Sequence, residues 1–186
     1  AANLALDEAL LEAAERADEP REVLRGWESR EMMVVVGRAS KLEEEVNVPA
    51  CQELQVPVLR RTSGGAAVVA GPGCLMYSVV LSYLTHPELH SIDRAHAYVL
   101  ERVAQALRRL DYYVERLGTS DLAVNGRKFS GNSCRCRRKS LLYHGTLLYG
   151  FPLEMIATCL KEPPRQPEYR QKRPHREFVA TLSGVT

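Results

Sequence analysis

Residues 60–78, RRTSGGAAVVAGPGCLMYS, leave the backbone few choices. Two arginines close an apolar run, Ser-Gly-Gly follows, and Gly-Pro-Gly precedes a second apolar run, which is the order of strand, tight loop and strand. Glycine lets the chain turn at φ > 0 and lets a ligand come close to the main chain. Exposed amides in such a loop form an anion-binding concavity, and arginines beside it suit phosphate or carboxylate. Gly-rich hairpins without a ligand are also common, so this segment alone leaves both readings open.

The rest of the chain alternates short strands with a few helices. Residues 3–17 read as a helix with Asn3 as its cap and Pro20 beyond its end. Residues 23–28 and 32–37 read as strands, the second an unbroken valine-rich run that suits burial on both faces. KLEEEVN and PACQELQ are short helical pieces, VPVLRR leads into the Gly-rich loop, and CLMYSVVLSY leaves it as a strand. Residues 91–110 carry the clearest helical spacing, with Ser91 as cap, Ile92, Ala95, Val99, Val103, Ala106 and Leu110 on one stripe, and His96 beside it as a packing residue. YYVERLG reads as a strand, Asn125-Gly126 as a two-residue hairpin turn, RRKSLLYHGTLLYG as a strand and PLEMIATCL as a short helix before a proline-rich stretch. With roughly eight strands, four helices and more hairpins than βαβ units, the expected fold is α+β, a mixed, mostly antiparallel sheet with packed helices.

Composition narrows the class. The 186 residues suit one domain, 1–186, and a formal charge of +2 from 25 basic and 23 acidic residues argues against a protein that coats nucleic acid. No apolar run is long enough for a bilayer and no secretory signal is visible, so a cytoplasmic protein without membrane contact is expected. The five cysteines at 51, 74, 134, 136 and 159 are odd in number and lack both disulfide-scaffold and zinc spacing, so reduced thiols and no metal site are expected.

A second motif follows the Asn-Gly turn: Arg127-Lys128-Phe129-Ser130-Gly131. On a regular strand Lys128 and Ser130 point to one face, and Arg127 and Phe129 to the other. A lysine two residues past a tight turn is well fixed, although a solvated hairpin lysine is the commoner fate of that residue. Taken in order, RRTSGGAAV, GPGCLMYS, SDLAVNGRKFSGN and LLYHGTLL resemble the lipoate–protein ligase A family, part of the larger group of biotin and lipoate ligases and octanoyltransferases. ALDEALL, VVVGR at 34–38, PPRQPEYR and HREFVATL extend the resemblance over nearly the whole chain.

The resemblance implies a class II synthetase/biotin ligase-like catalytic domain. It implies activation of lipoate by ATP and Mg²⁺ to lipoyl-AMP, then transfer to a lysine of a lipoyl domain. The acceptors it implies are the lipoyl domains of 2-oxoacid dehydrogenase complexes or the glycine cleavage H protein. By position it makes Lys128 the essential lysine, Arg61 an ATP contact and Ala66, Ala67, Val68 and Val69 the nucleotide stretch. Ser63, Gly64, Gly65, Asp121, Ser130, Gly131, His144, Gly145 and Thr146 complete the implied ATP and lipoate site. The chemistry suits these types: a carboxylate attacking an α-phosphate needs a cation between two anions that repel, and the mixed anhydride it forms needs a dry pocket. An apolar slot from Val34–Val36 and Val68–Val69 would take the lipoyl tail. Asp121 reads equally as a partner of Lys128, as a proton acceptor for the incoming amine, or as a residue that only starts a strand.

Three departures matter. Ala66 stands where many members have a third glycine, and Val69 and Ala70 where a polar or acidic residue is frequent. No C-terminal accessory domain is visible in the 186 residues, so a separate accessory chain is one expectation. Two rivals remain. An octanoyltransferase of the same fold would use Cys134 or Cys136, which follow Lys128 in an arginine-rich turn of the kind that lowers a thiol pKa. A non-enzyme would either bind nucleic acid through the basic cluster Arg127, Lys128, Arg135, Arg137, Arg138 and Lys139, or be an inactive relative that only holds a lipoyl or biotinyl ligand, which Ala66 and the absence of the accessory domain leave open.

Overall fold

The computed structural model describes residues 1–163 and 165–185; Pro164 of the late Pro-Pro motif and Thr186 lie outside the described residues. The main sheet is built by hairpins. β1 (Val23–Glu28), β5 (Cys74–Ser82), β9 (Ser140–Leu148), β8 (Arg127–Cys136), β7 (Asp121–Val124) and β6 (Glu115–Leu117) lie side by side in that order, every neighbouring pair antiparallel. A second sheet places β2 (Met33–Val36) between β3 (Val58–Arg60), which is parallel to it, and β4 (Val68–Ala70), which is antiparallel. The α+β expectation holds, with nine strands among the described residues. The extra one, β4, sits inside the stretch read as loop.

Alternation along β5 and β9 sends residues to two different cores. Tyr77, Leu81, Leu141 and Tyr143 face Ala95, Val99, Leu100 and Leu107 of α4 (Ile92–Arg108). His96 is buried in that layer with Nδ1 2.9 Å from Tyr143 Oη, the packing role its place on the helix suggested. On the opposite face Val80 and Leu142 meet Leu11 and Ala14 of α1 (Ala2–Arg16). Farther along that face, Cys74, Met76 and Leu148 pack on Val34–Val36 and Val69 of the small sheet. Neither Asn3 nor Ser91 makes a side-chain capping bond. Asn3 instead binds Arg25, which also pairs with buried Asp7 at 2.5 Å and so ties α1 to the sheet.

The Asn125-Gly126 turn forms as its sequence requires, with φ of 53° and 69°, the mirror-image turn that matches strand twist. The strand after it departs from regular alternation. Leu122 pairs with Ser130, but its neighbour Ala123 pairs with Lys128, so Phe129 is a bulged extra residue. Lys128 and Ser130 therefore do not share a face. Phe129 is fully buried in the α4 core, and Lys128 turns to the other side, in phase with Asp121, Gly131, Ser133, His144 and Thr146.

Candidate active site

Two adjoining cavities open on that face, of about 120 Å³ and about 160 Å³. Their shared wall is Ala66–Val68 of the Gly-rich loop on one side and Lys128, Gly131 and Thr146 on the other. The first cavity runs under Val69, Leu148, Ile156, Leu160 and Phe178, with Lys161, Arg170, His175 and Glu45 as its polar members. The second runs toward Leu4, Val35 and Met76, with Asp121, Asn132, Ser133 and His144 beside them. Lys128 sits where they meet. Its Nζ is 2.7 Å from Asp121 Oδ1, and its side chain is 30% exposed, enough to reach either cavity.

The loop holds its shape through one arginine. Arg61 donates from Nε to Ser63 Oγ at 3.1 Å, from Nη1 to the Val35 carbonyl at 3.0 Å, and from Nη2 to the Gly64 and Ala66 carbonyls at 2.6 and 2.9 Å. Burial lowers its pKa to about 10, so it stays cationic at neutral pH. Arg61 is thus a clamp on the loop whose fork is largely committed to main-chain carbonyls, and its wall position on the second cavity adds positive field there. Ser63 and Gly64, expected as ligand contacts, lie in the frame behind the wall: Ser63 is fully buried, and the Gly64 carbonyl also accepts Ser133 Oγ–H at 2.9 Å. Gly65 needs to be glycine, with φ of +87°, and its carbonyl leaves no room for a Cβ at Gly37, which would stand 2.0 Å away. Ala66 has no positive φ, so the missing third glycine carries no strain.

Other expectations need correction. Val34 and Val36 belong to the core, and of that trio Val35 borders a cavity. Of the expected tail slot, Val68 borders both cavities and Val69 the first. The loop amides are not all open: Ala67 N–H donates to Glu45 Oε2 at 2.6 Å. Gly65, Ala66, Ala67, Asp121, Gly131, His144, Gly145 and Thr146 do come together around the second cavity, and Ser130 borders the first. The sequence reading missed Glu45, Lys161, Tyr169, Arg170, His175 and Phe178; the PPRQPEYR and HREFVATL stretches were the available signal for the last four.

His144 closes the back of the second cavity. Ser63 Oγ, which accepts from Arg61, also lies 2.5 Å from His144 Nε2, and the ring tautomer sets which of the two donates. Burial, reinforced by the Arg61 charge, pushes its pKa down to about 3. Between that value and the usual 6.5 the unfolded chain binds a proton that the folded chain does not, so stability falls as pH drops through this window and is fully present above 6.5. Relative to a His144→Gln protein, the native chain is expected to lose about 2–3 kcal/mol between pH 7 and 4.5, read from urea midpoints.

The cysteines and the basic turn lie elsewhere. Ser133 pairs with His144 on the cavity face, which puts Cys134 and Cys136 on the α4 face, where they pack beside Tyr83 and Tyr143. A hydrogen bond from Cys134, then Tyr83 and the charges of Arg135 and His90, hold the Cys136 thiol below its ordinary pKa. Among the described residues no cysteine lines either cavity. In the turn after β8, Arg137 pairs with Glu12, and the Arg138 and Lys139 main-chain amides donate to Glu15, so α1 pairs one cation of the basic cluster and fixes the backbone of the turn. Among the described residues no group of three or more His, Cys, Asp or Glu converges on a metal position, and no helix is long and apolar enough to cross a membrane.

The family model for the lipoyl protein ligase A/B catalytic domain matches residues 1–186. The chain belongs to this family. Among relatives of the lipoyl ligase family, a putative lipoate–protein ligase A of Aeropyrum pernix is 35% identical over 146 residues, 78% of this chain and 52% of that protein. The octanoyltransferase LipM of Oceanobacillus iheyensis is 27% identical over 200 residues, 99% of this chain and 72% of that protein. The chain thus spans about half the length of the Aeropyrum protein. A crystal structure of lipoate–protein ligase A bound with ATP superposes with a TM-score of 0.81 at 26% identity, covering 97% of this chain and 70% of that one. A bi-partite lipoate protein ligase of Thermoplasma acidophilum, solved in work on that ligase and its E2 lipoyl domain, gives a TM-score of 0.80 at 26% identity, covering 97% and 69%.

Proposed function

We propose that residues 1–186 are the catalytic unit of a lipoate–protein ligase. It activates the lipoate carboxylate with ATP to lipoyl-AMP and passes the acyl group to a lysine of a lipoyl domain. The observation that carries this reading is the position of Lys128 Nζ at the junction of the two cavities. The first cavity, apolar in its depth and cationic at Lys161, Arg170 and His175, suits a nucleotide; the second, with Leu4, Val35 and Met76 at its end, suits an acyl chain. A carboxylate and an α-phosphate meeting at Lys128 share one cation, which offsets their repulsion and the charge that grows as pyrophosphate leaves. The ATP bound in the related ligase structure supports ATP as the co-substrate.

Mg²⁺ is read as entering with the nucleotide, since it keeps several waters and uses substrate phosphates. Glu45 is the carboxylate on the first cavity that would hold it, and the ion would there offset phosphate charge. The acceptor is proposed to be a lipoyl domain, of a 2-oxoacid dehydrogenase complex or the glycine cleavage H protein. The bi-partite Thermoplasma ligase supports a separate accessory chain as a partner.

Incubation with lipoate, ATP and Mg²⁺ is expected to give lipoate-dependent pyrophosphate exchange and lipoyl-AMP by mass spectrometry. Absence of exchange with lipoate, octanoate and biotin alike would sink the ligase reading. The relationship to LipM supports a second reading, octanoyl transfer without ATP. The absence of cysteine from both cavity walls weighs against it. A Cys134→Ser/Cys136→Ser protein is expected to keep acyl transfer within about twofold, whereas a thiol nucleophile typically accounts for orders of magnitude. Octanoyl transfer from acyl carrier protein that vanishes in this variant would favour the transferase.

A further inference from the structure

We propose that Asp121 accepts the proton of the acceptor amine once the substrates have drawn Lys128 away from it, and that Tyr169 positions it for this step. The inference rests on the ligase reading and adds the group that serves its second half-reaction.

Asp121 opens β7 with a side chain only 9% exposed. Its two oxygens have different partners: Oδ1 faces Lys128 Nζ at 2.7 Å, and Oδ2 accepts the Tyr169 hydroxyl at 2.8 Å. Tyr169 is half-buried, with its ring tilted on Phe178 at 5.2 Å. Burial, then the Asp121 charge, push its phenol pKa up, so it remains a donor at working pH. Oδ2 is therefore permanently engaged, and Lys128 alone decides whether Oδ1 is open.

Lys128 borders both cavities, so a bound carboxylate and an α-phosphate offer it two anions in place of one. As it moves to them, Oδ1 loses its cation in a place nearly closed to water, which raises its basicity. The timing fits the chemistry, because the carboxylate is quenched while the anions assemble and freed when an amine has to be deprotonated. The acceptor lysine, after losing its ammonium proton, attacks the acyl carbon. The C–N bond forms, the C–O bond to AMP breaks with its electron pair leaving on AMP, and one of the two N–H protons passes to Asp121 Oδ1 and later to water while the other stays on the amide. The charged and titratable groups near Asp121 are Lys128 of β8, Tyr169 with Arg170 and Arg173 beside it, Arg116 of β6, and His96 and Tyr143, which feel its charge.

The test separates the half-reactions by supplying synthetic lipoyl-AMP with a lipoyl domain, and by measuring pyrophosphate exchange alongside. Asp121→Asn is expected to slow transfer about 10²-fold or more and exchange by under about tenfold, with transfer now rising steadily with pH. Tyr169→Phe keeps the ring on Phe178; it is expected to slow transfer about tenfold with acceptor KM unchanged, and to move the acid limb of the transfer profile to higher pH, because a lost donor makes the carboxylate more basic. Transfer by Asp121→Asn within threefold of native overturns the proposal, as does an equal loss in both half-reactions, which would leave Asp121 as a prop for Lys128. Should Asp121→Asn not fold, an unmoved acid limb in Tyr169→Phe overturns it. A native protein that transfers from synthetic lipoyl-AMP but makes none from ATP refutes the adenylation reading while the same variants still decide the proton assignment. A native protein that does neither overturns both.

Discussion

A Lys128→Ala protein is expected to fold normally and to lose acyl-adenylate formation by about 10²–10³-fold or more. The fold is spared because the ammonium is partly exposed and its ion-pair partner, Asp121, keeps the Tyr169 hydrogen bond when the lysine is gone. Thermal melting should still fall by several degrees, because Lys128 is 30% exposed but Asp121 is only 9% exposed and loses its cation. Activity has no such reserve. Lys161, Arg170 and His175 line the first cavity alone, and Arg61 the second, so among the described residues Lys128 is the one cationic side chain common to both. Lipoate-dependent pyrophosphate exchange is the measurement. Exchange at near-native rate in a folded Lys128→Ala protein would remove the basis for the site assignment.

Arg61→Ala is expected to damage both stability and activity. Removing the fork takes a donor from the Val35, Gly64 and Ala66 carbonyls and from Ser63 around a buried loop, and of the carbonyls Gly64 keeps Ser133. Losing several such bonds to a charged group costs about 3 kcal/mol or more, a drop in Tm of roughly 10 °C for a chain of this size. Arg61→Lys discriminates between two roles. If the residue served mainly as a positive charge toward a nucleotide, lysine would restore most activity. As a clamp with bonds in four directions it has no lysine equivalent, and the variant is expected to melt within a few degrees of Arg61→Ala and to stay poorly active. Calorimetry and exchange assays on the same samples decide between them.

What the sequence made legible follows from what local chemistry controls. The Asn125-Gly126 turn was readable because two consecutive positive φ values are demanded and these residues tolerate them. The helix at 92–108 was readable because one face of it is buried on a sheet and its apolar spacing records that fact. β4 was not, because three residues between two glycine-rich turns carry no periodicity and are held as strand by pairing with β2. Within the site, the Gly-rich loop and the lysine hairpin were identifiable as segments, yet the jobs inside them were not. Ser63 and Arg61 look like ligand contacts in a one-dimensional motif, and it takes the folded loop to show that Arg61 binds its main chain and that Ser63 lies between Arg61 and His144. The wall from Ile156 to Val179 was opaque for another reason: α5 (Glu154–Cys159) and α6 (His175–Phe178) are too short for a periodic stripe, and prolines interrupt the run between them.

The surplus residue at Phe129 works as a phase shifter for the strand that carries the lysine. Counted back from Gly131 and the part of the strand anchored on β9, a perfectly alternating ribbon would aim the ammonium into the helical layer, and the aromatic ring out toward the substrates. The direction of the reactive group is thus encoded by chain count as much as by residue identity. Excision of one position beyond the hairpin tip would preserve every functional side chain and still disarm the molecule, and anyone grafting this ribbon onto another scaffold must carry its irregularity along with its lysine.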